Sequence, residues 1–73
     1  NKLTKTYHFN AYKLIMTFVN EVMHIAEEQN HHPDITVYYD KVILSITDHE
    51  KGEVSEKCHR LKDTVDNLSI VKS

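Results

Sequence analysis

The chain is poor in the features that build disulfide-stapled or membrane-spanning proteins. It has one cysteine among 73 residues, so it cannot form an internal disulfide. No apolar run approaches the length of a membrane span, and no signal-peptide pattern opens the sequence. The lone cysteine fits a reducing compartment. With 40% hydrophobic residues, the composition instead indicates one small folded domain.

The chain also lacks a strong charge of either sign. Nine basic and eleven acidic residues are interspersed and give a net charge of −2, with no cluster of lysine or arginine. This argues against non-specific phosphate binding as the main activity. A chain of this length buries a limited share of its surface, so oligomerisation or very good packing is expected to stabilise it.

The hydrophobic pattern predicts a strand followed by a long helix. Apolar and polar residues alternate over 1–10, which favours a strand with Tyr7 and Phe9 facing the core. Asn10 is the predicted N-cap of a helix of about 19 residues. Its apolar positions fill an arc of roughly 200°, wider than the ~100° that one covering sheet requires. The second surface is predicted to be another subunit, the alternative being a sheet that wraps far around the helix.

The second half of the chain predicts a hairpin and a second helix. Alternating runs over 35–39 and 42–47 flank a short turn at Asp40-Lys41, which is typical of an antiparallel hairpin. A polar loop over 48–53 follows, then Ser55 as the predicted N-cap of the second helix. The helix has one apolar stripe, and a frayed tail is expected over 69–73. The fold class is therefore α+β, an antiparallel sheet with helices packed on one face, in the order strand-helix-strand-strand-helix.

Two adjacent histidines, His31 and His32, stand directly before Pro33. Proline has no N–H and disfavours the helical conformation in the residue before it, so the first helix should stop at Asn30 or His31. A single histidine there would usually only meet the last helix carbonyls. Two neighbours cannot point the same way, so the pair can line a pocket from two sides. Imidazole, with an ordinary pKa near ~6.5, can give or take a proton at neutral pH.

Two further residues are predicted to join this pocket. Pairing through the hairpin turn brings Thr47 alongside Pro33, so His49 should lie near the two histidines, although an ordinary loop histidine is an equally good interpretation. Glu27 lies one helical turn before His31 and could orient an imidazole or accept N–H donors from a ligand. The simpler interpretation of Glu27 is a solvated acid at the helix end.

A metal site is the weaker alternative. The side chains that could supply zinc ligands are His31, His32, His49, Cys58 and His59. Their spacing fits no standard zinc set, and Cys58 is more simply a small buried residue on the stripe of the second helix. No metal is therefore expected.

The spacing of these residues is similar to a known signature. Glu27, the run His31-His32-Pro33, Tyr39 and His49 resemble the pattern of the pterin-4a-carbinolamine dehydratase family, also described as dimerisation cofactors of a hepatocyte homeodomain transcription factor. The similarity runs from about Leu3 to Leu68. It includes an aromatic strand, the hairpin turn and a corner after the second hairpin strand, at residues 5–9, 39–42 and 47–50.

This resemblance implies loss of water from a 4a-hydroxytetrahydropterin in tetrahydrobiopterin recycling, without metal or organic cofactor. The implied catalytic residues are His31, His32 and His49, with His31 and His49 as the acid/base pair and His32 chiefly binding the pterin. The implied substrate-binding residues are Glu27, His32 and Asp34. A non-enzymatic module that binds a transcription factor or another protein is the alternative.

The resemblance also implies a homodimer or homotetramer in the cytoplasm or nucleus, with no direct binding of nucleic acid or membrane. The sequence departs from the family pattern at three places. Cys58 stands where the family often has an aspartate, and Asp34-Ile35 replaces a frequent acid-tryptophan pair. The family's N-terminal helix and first strand are expected to have no counterpart in residues 1–73.

Overall fold

The computed structural model describes residues 2–72, and predictions that touch Asn1 or Ser73 lie outside the described residues. The predicted order strand-helix-strand-strand-helix is confirmed, with one helical turn added after it. The elements are β1 (Leu3–His8), α1 (Tyr12–Gln29), β2 (Asp34–Val37), β3 (Lys41–Ile46), α2 (Glu56–Asp66) and α3 (Ser69–Lys72). No helix among residues 2–72 is both long enough and apolar enough to cross a membrane.

The three strands form one antiparallel sheet in the order β1-β3-β2. Alternation places Val42, Leu44 and Ile46 of β3 on one face, where all three are fully buried. Tyr7 of β1 lies opposite Val42 and joins the same core. Buried side chains of α1 and α2 belong to this core too, so both helices cover one face of the sheet, as the α+β prediction requires.

The hairpin turn lies one residue earlier than predicted. Tyr38 N–H donates to the Lys41 carbonyl at 2.9 Å, so the tip is Tyr39-Asp40 rather than Asp40-Lys41. Lys41 is drawn into β3 because it pairs with His8 of β1 on the other side. The register consequently places Ser45 opposite Asp34.

Both ends of α1 are set by backbone geometry. The predicted N-cap at Asn10 is wrong, since Ala11 occupies the cap and accepts the first helical hydrogen bond, from Leu14 N–H at 3.1 Å. The C-terminal end is as predicted: Asn30 adopts a left-handed conformation with φ 51°, and His31 N–H donates to the Ala26 carbonyl at 3.0 Å. Asparagine tolerates this conformation better than most residues, which ends the helix sharply and turns His31 out of it.

The predicted frayed tail is wrong over residues 69–72. These residues form the short helix α3, in which the N–H groups of Val71 and Lys72 donate to the Leu68 carbonyl at 3.0 and 3.1 Å. Ile70 and Val71 pack against the core, and this burial offsets the low intrinsic stability of so short a helix.

A polar contact fastens β1 to α2. The Tyr7 hydroxyl donates to Asp66 Oδ1 at 2.7 Å, and Lys62 Nζ donates to Asp66 Oδ2 at 2.8 Å. Burial acts to raise the pKa of Asp66, but the hydrogen bonds from Lys62 and Tyr7 and the lysine charge outweigh it, so the pKa lies below its ordinary value. Burial, and then the Asp66 carboxylate, raise the pKa of Tyr7 far above its usual range.

The wide apolar arc of α1 is only partly covered by the sheet. Ile15, Phe18 and Val22 are buried, whereas Tyr12 and Met16 are 59% and 63% exposed. A strip of apolar side chains therefore remains exposed along α1, on the side that shares a depression with Val37 of β2. We call it the α1 strip; its members are Tyr12, Met16 and Met23.

Candidate active site

The two adjacent histidines point in different directions, as the proline-stopped helix predicts for neighbouring residues. The ring of His31 turns inward and is 7% exposed, with Nε2 at 3.3 Å from Cys58 Sγ on α2. His32 turns outward, with Nε2 at 2.8 Å from Glu27 Oε1. At the end of α1, one histidine ring is therefore buried and the next is exposed to solvent.

The carboxylate of Glu27 and the ring of His32 form an exposed pair. Their side chains are 80% and 57% exposed, so water screens the interaction and its contribution to folding is small. Its geometry is nevertheless definite, because Glu27 lies on the last turn of α1 and His32 follows the helix end. The pair can hold the imidazole in one orientation and present a carboxylate oxygen to a ligand.

His49 lies beside this pair. Its Nε2 is 3.4 Å from the backbone carbonyl oxygen of His32, a hydrogen bond when that nitrogen carries the proton. His32 precedes β2 and His49 follows β3, so the antiparallel pairing of these two strands brings the residues together. His32 and His49 are exposed, whereas His31 is buried against Cys58.

The loop that carries His49 is held by Asp48, a residue that sequence reasoning did not single out. Asp48 Oδ1 accepts hydrogen bonds from the N–H groups of Glu50 and Lys51 at 3.0 and 3.2 Å, and Oδ2 accepts one from Ser55 Oγ at 2.9 Å. The bond from Ser55 and then those from the backbone outweigh burial, so the pKa of Asp48 is below its ordinary value. An aspartate at the start of a polar loop often accepts a hydrogen bond from the backbone N–H two residues later, and this local pattern could have predicted the role of Asp48.

Ser55 is the N-cap residue of α2, as predicted, but its hydroxyl serves the loop rather than the helix. Its Oγ accepts no capping bond from a helix N–H, and its proton is donated to Asp48. Gly52 closes the same loop at φ 68°, donating its N–H to the Asp48 carbonyl at 2.7 Å. The loop is thereby fixed at both sides of His49.

A groove of about 430 Å³ runs between α1 and the hairpin, within the size range of small-ligand pockets. Glu27 and His32 contribute a carboxylate and an imidazole to its lining, and Met23, Pro33 and Ile35 supply apolar walls. The remaining lining residues are Asn20, His24 and Ala26. The groove therefore offers a mostly apolar surface that includes a carboxylate and an imidazole.

A larger depression of about 720 Å³ lies between β1 and α3. Its lining contains none of the residues that the sequence predicts for the site, and its titratable side chains are those of Tyr7 and His8. The smaller groove is the better candidate, because it alone adjoins the paired histidine and carboxylate.

Of the five residues predicted for catalysis and substrate binding, Glu27 and His32 line the groove, whereas His31, His49 and Asp34 do not. Asp34 is exposed at the start of β2 opposite Ser45, on the other side of the strand from Ile35. Cys58 is fully buried on α2, as its place on the apolar stripe predicts, and touches His31 rather than the groove. Within residues 2–72 no group of three or more histidine, cysteine, aspartate or glutamate side chains is arranged to hold a metal ion.

Comparison with known proteins points to one family. The family model described as pterin 4 alpha carbinolamine dehydratase matches residues 1–68. A Sulfurisphaera tokodaii protein that carries the name pterin-4-alpha-carbinolamine dehydratase is 38% identical over 68 residues. The matched region covers 93% of this chain and 73% of that protein.

Solved structures have the same fold. A transcriptional coactivator/pterin dehydratase from Brucella melitensis superimposes with a TM-score of 0.87 at 20% identity, covering 96% of this chain and 72% of the other. A pterin dehydratase-like protein described as a RuBisCO assembly factor in the alpha-carboxysome gives a TM-score of 0.80 at 20% identity, covering 99% and 81%. At this identity the likeness concerns the fold alone.

Proposed function

This chain belongs to the pterin 4 alpha carbinolamine dehydratase family, and from that premise we propose that it removes water from 4a-hydroxytetrahydrobiopterin. The product is quinonoid dihydrobiopterin, an intermediate of tetrahydrobiopterin recycling. The observation that carries the proposal is the Glu27–His32 pair in the lining of a small, mostly apolar groove, with His49 Nε2 at 3.4 Å from the His32 carbonyl oxygen. His31, the residue before His32, is buried against Cys58.

The reaction makes two demands on protons, and imidazoles meet both. The C4a–O bond breaks as the hydroxyl accepts a proton and leaves as water. A ring nitrogen loses its proton, and that electron pair forms the new C=N bond. In our proposal His31 and His49 serve as the acid/base pair, since an imidazole can both donate and accept a proton.

Binding is assigned to the groove. His32 positions the pterin, and Glu27 orients His32 or accepts N–H donors of the pterin ring. Met23 and Ile35 flank the flat ring system, and Ile35 stands where the family often has a tryptophan. Asp34, at the start of β2, is retained as a candidate substrate contact.

The proposal is tested by the rate of dehydration of 4a-hydroxytetrahydrobiopterin relative to the spontaneous rate. The wild type should accelerate it, and His31→Ala and His49→Ala should each lose about 10²–10⁴-fold in activity. His32→Ala should chiefly raise KM. His8→Ala, an exposed histidine on the outer face of the sheet, is the matched control and should leave activity unchanged. Wild-type kcat/KM in the double variant of His31 and His49 would reject the assigned roles.

A second function, binding to another protein chain, is favoured by the α1 strip. Exposed clustered apolar side chains such as Met16, at 63%, and Met23, at 59%, commonly mark interaction surfaces. We propose that a second copy of this chain covers the strip in a homodimer or homotetramer. Binding of a transcription factor or another protein is the non-enzymatic alternative, and it would be favoured if the purified protein did not accelerate dehydration.

A further inference from the structure

A continuous line of polar contacts leads from the His49 loop to the ring of His31. Ser55 Oγ donates to Asp48 Oδ2 at 2.9 Å, and Cys58 Sγ lies 3.9 Å from Ser55 Oγ. The same sulfur lies 3.3 Å from His31 Nε2. Cys58 is fully buried and His31 almost so, which makes the direction of each hydrogen bond matter.

The direction is set at the Asp48 end. Hydrogen bonds from Ser55 and the loop backbone hold the pKa of Asp48 below its ordinary value, so its carboxylate is ionised at neutral pH and can only accept. The single hydroxyl proton of Ser55 is therefore committed to Asp48. Toward Cys58, Ser55 Oγ can act only as an acceptor.

Both contacts of the thiol are then satisfied only when Cys58 donates a hydrogen bond to one neighbour and accepts one from the other. Its S–H points to Ser55 Oγ, and its sulfur accepts a proton from Nε2–H of His31. The opposite arrangement, with S–H directed at Nε2, would turn lone pairs of sulfur and of Ser55 Oγ toward each other. The charge on Asp48 thus polarises the whole line toward itself.

We propose that Cys58 is the positioning residue of His31, holding the ring as the Nε2–H tautomer so that Nδ1 is its proton acceptor. This deepens the proposed function and rests on it. His31 becomes the base that takes the ring-nitrogen proton of the pterin through Nδ1. His49 becomes the acid that protonates the departing 4a-hydroxyl.

The tautomer can be read directly from long-range ¹H–¹⁵N spectra of the ¹⁵N-labelled protein at alkaline pH, where ordinary imidazoles are neutral. The His31 signals are assigned by their loss in His31→Gln. We expect the proton on Nε2 in the wild type and in Cys58→Ser, which keeps one donor and one acceptor. In Cys58→Ala the preference should be lost. Val65→Ala, another truncation on the buried stripe of α2, should leave it unchanged.

Kinetics supply the second readout. Loss of one buried hydrogen bond that holds a ring should lower kcat of Cys58→Ala about tenfold, with KM within about twofold of wild type. Cys58→Ser should recover most of the lost rate, which a purely packing role would not predict. Val65→Ala should lower stability through its cavity yet keep kcat.

The outcomes separate this inference from the proposed function. A proton on Nδ1 of His31 in the wild type would overturn it, and this measurement does not depend on the folding of any variant. So would wild-type tautomer and kcat in Cys58→Ala. If the wild type does not accelerate dehydration but His31 holds its proton on Nε2 in a Cys58-dependent way, the proposed reaction fails while the positioning by Cys58 stands.

Discussion

Replacing Glu27 by glutamine separates binding of the substrate from stability of the fold. The change keeps the size of the side chain and removes its charge. It weakens the 2.8 Å contact between Glu27 Oε1 and His32 Nε2 and leaves the groove a neutral amide where it had a carboxylate. Because the pair is largely exposed, these two effects should differ strongly in size.

The magnitudes follow from exposure. An exposed ion pair contributes about 0.2–1 kcal/mol to folding, so the Tm of Glu27→Gln should fall by no more than about 8 °C. A hydrogen bond from a bound ligand to a charged group is worth about 1.5–3 kcal/mol, which corresponds to about 10- to 100-fold in KM. We therefore expect KM to rise by at least about tenfold with little change in kcat.

Steady-state dehydration kinetics and thermal unfolding of the same samples test this expectation. Glu28→Gln is the matched control, since Glu28 is the next residue on α1, is equally acidic and is exposed. Glu28→Gln should resemble the wild type in both assays. Unchanged KM with reduced kcat would place Glu27 in the chemical step, and a large loss of Tm would show that the exposed pair had been undervalued as a structural contact.

Three further predictions concern stability and assembly. Asp48 and Asp66 have lowered pKa values, so the stability that they provide is complete above the ordinary carboxyl pKa near ~4. This stability is lost as the pH falls through the lower pKa of the folded state. The Tm should therefore drop steeply at acid pH, and less steeply in Asp66→Asn. Asn30→Ala should cost about 1–2 kcal/mol in urea unfolding because of the left-handed φ of 51°, whereas Asn30→Gly should be near neutral. Met16→Lys should abolish self-association in sedimentation experiments while dehydration continues, and dehydration lost together with association would show that the site needs the second copy.

Periodic patterns predicted the buried faces of β3 and α2 well, whereas Val37 and Tyr39 of the run predicted over 35–39 are exposed. The alternation that includes Val42, Leu44 and Ile46 and the helical spacing of Cys58 and Leu61 correspond to residues that are fully buried. Burial of many side chains determines these patterns, so single misplaced residues do not hide them. The class of fold follows from them.

Single-residue boundaries were harder to predict because they depend on partners far away in sequence. Asn10 has the better side chain for a cap, yet the helix begins after Ala11, where the chain leaves β1. The hairpin tip moved because Lys41 pairs with His8, which the local turn sequence cannot indicate. Differences in local propensity of about 1 kcal/mol are too small to resist such pairing.

The location of the two histidines at the end of α1 was predictable, and the direction of each ring was not. The double histidine and its proline placed two rings at the helix end, but the sequence could not say which ring points inward. The inward ring, that of His31, lies against Cys58, which α2 brings there from 27 positions away. The role of Asp48, in contrast, could have been predicted from the local sequence, because it accepts hydrogen bonds from the N–H groups of Glu50 and Lys51, which follow it closely in the chain.

The central place of β3 in the sheet has a consequence for the order in which the chain acquires its structure. During synthesis β1 emerges first but has no partner until β3 follows, since Leu3 pairs with Ile46. The β2–β3 hairpin closes over a tight local turn, which costs much less chain entropy than joining segments so far apart. Folding should therefore begin at the hairpin, and docking of the first strand should complete the sheet.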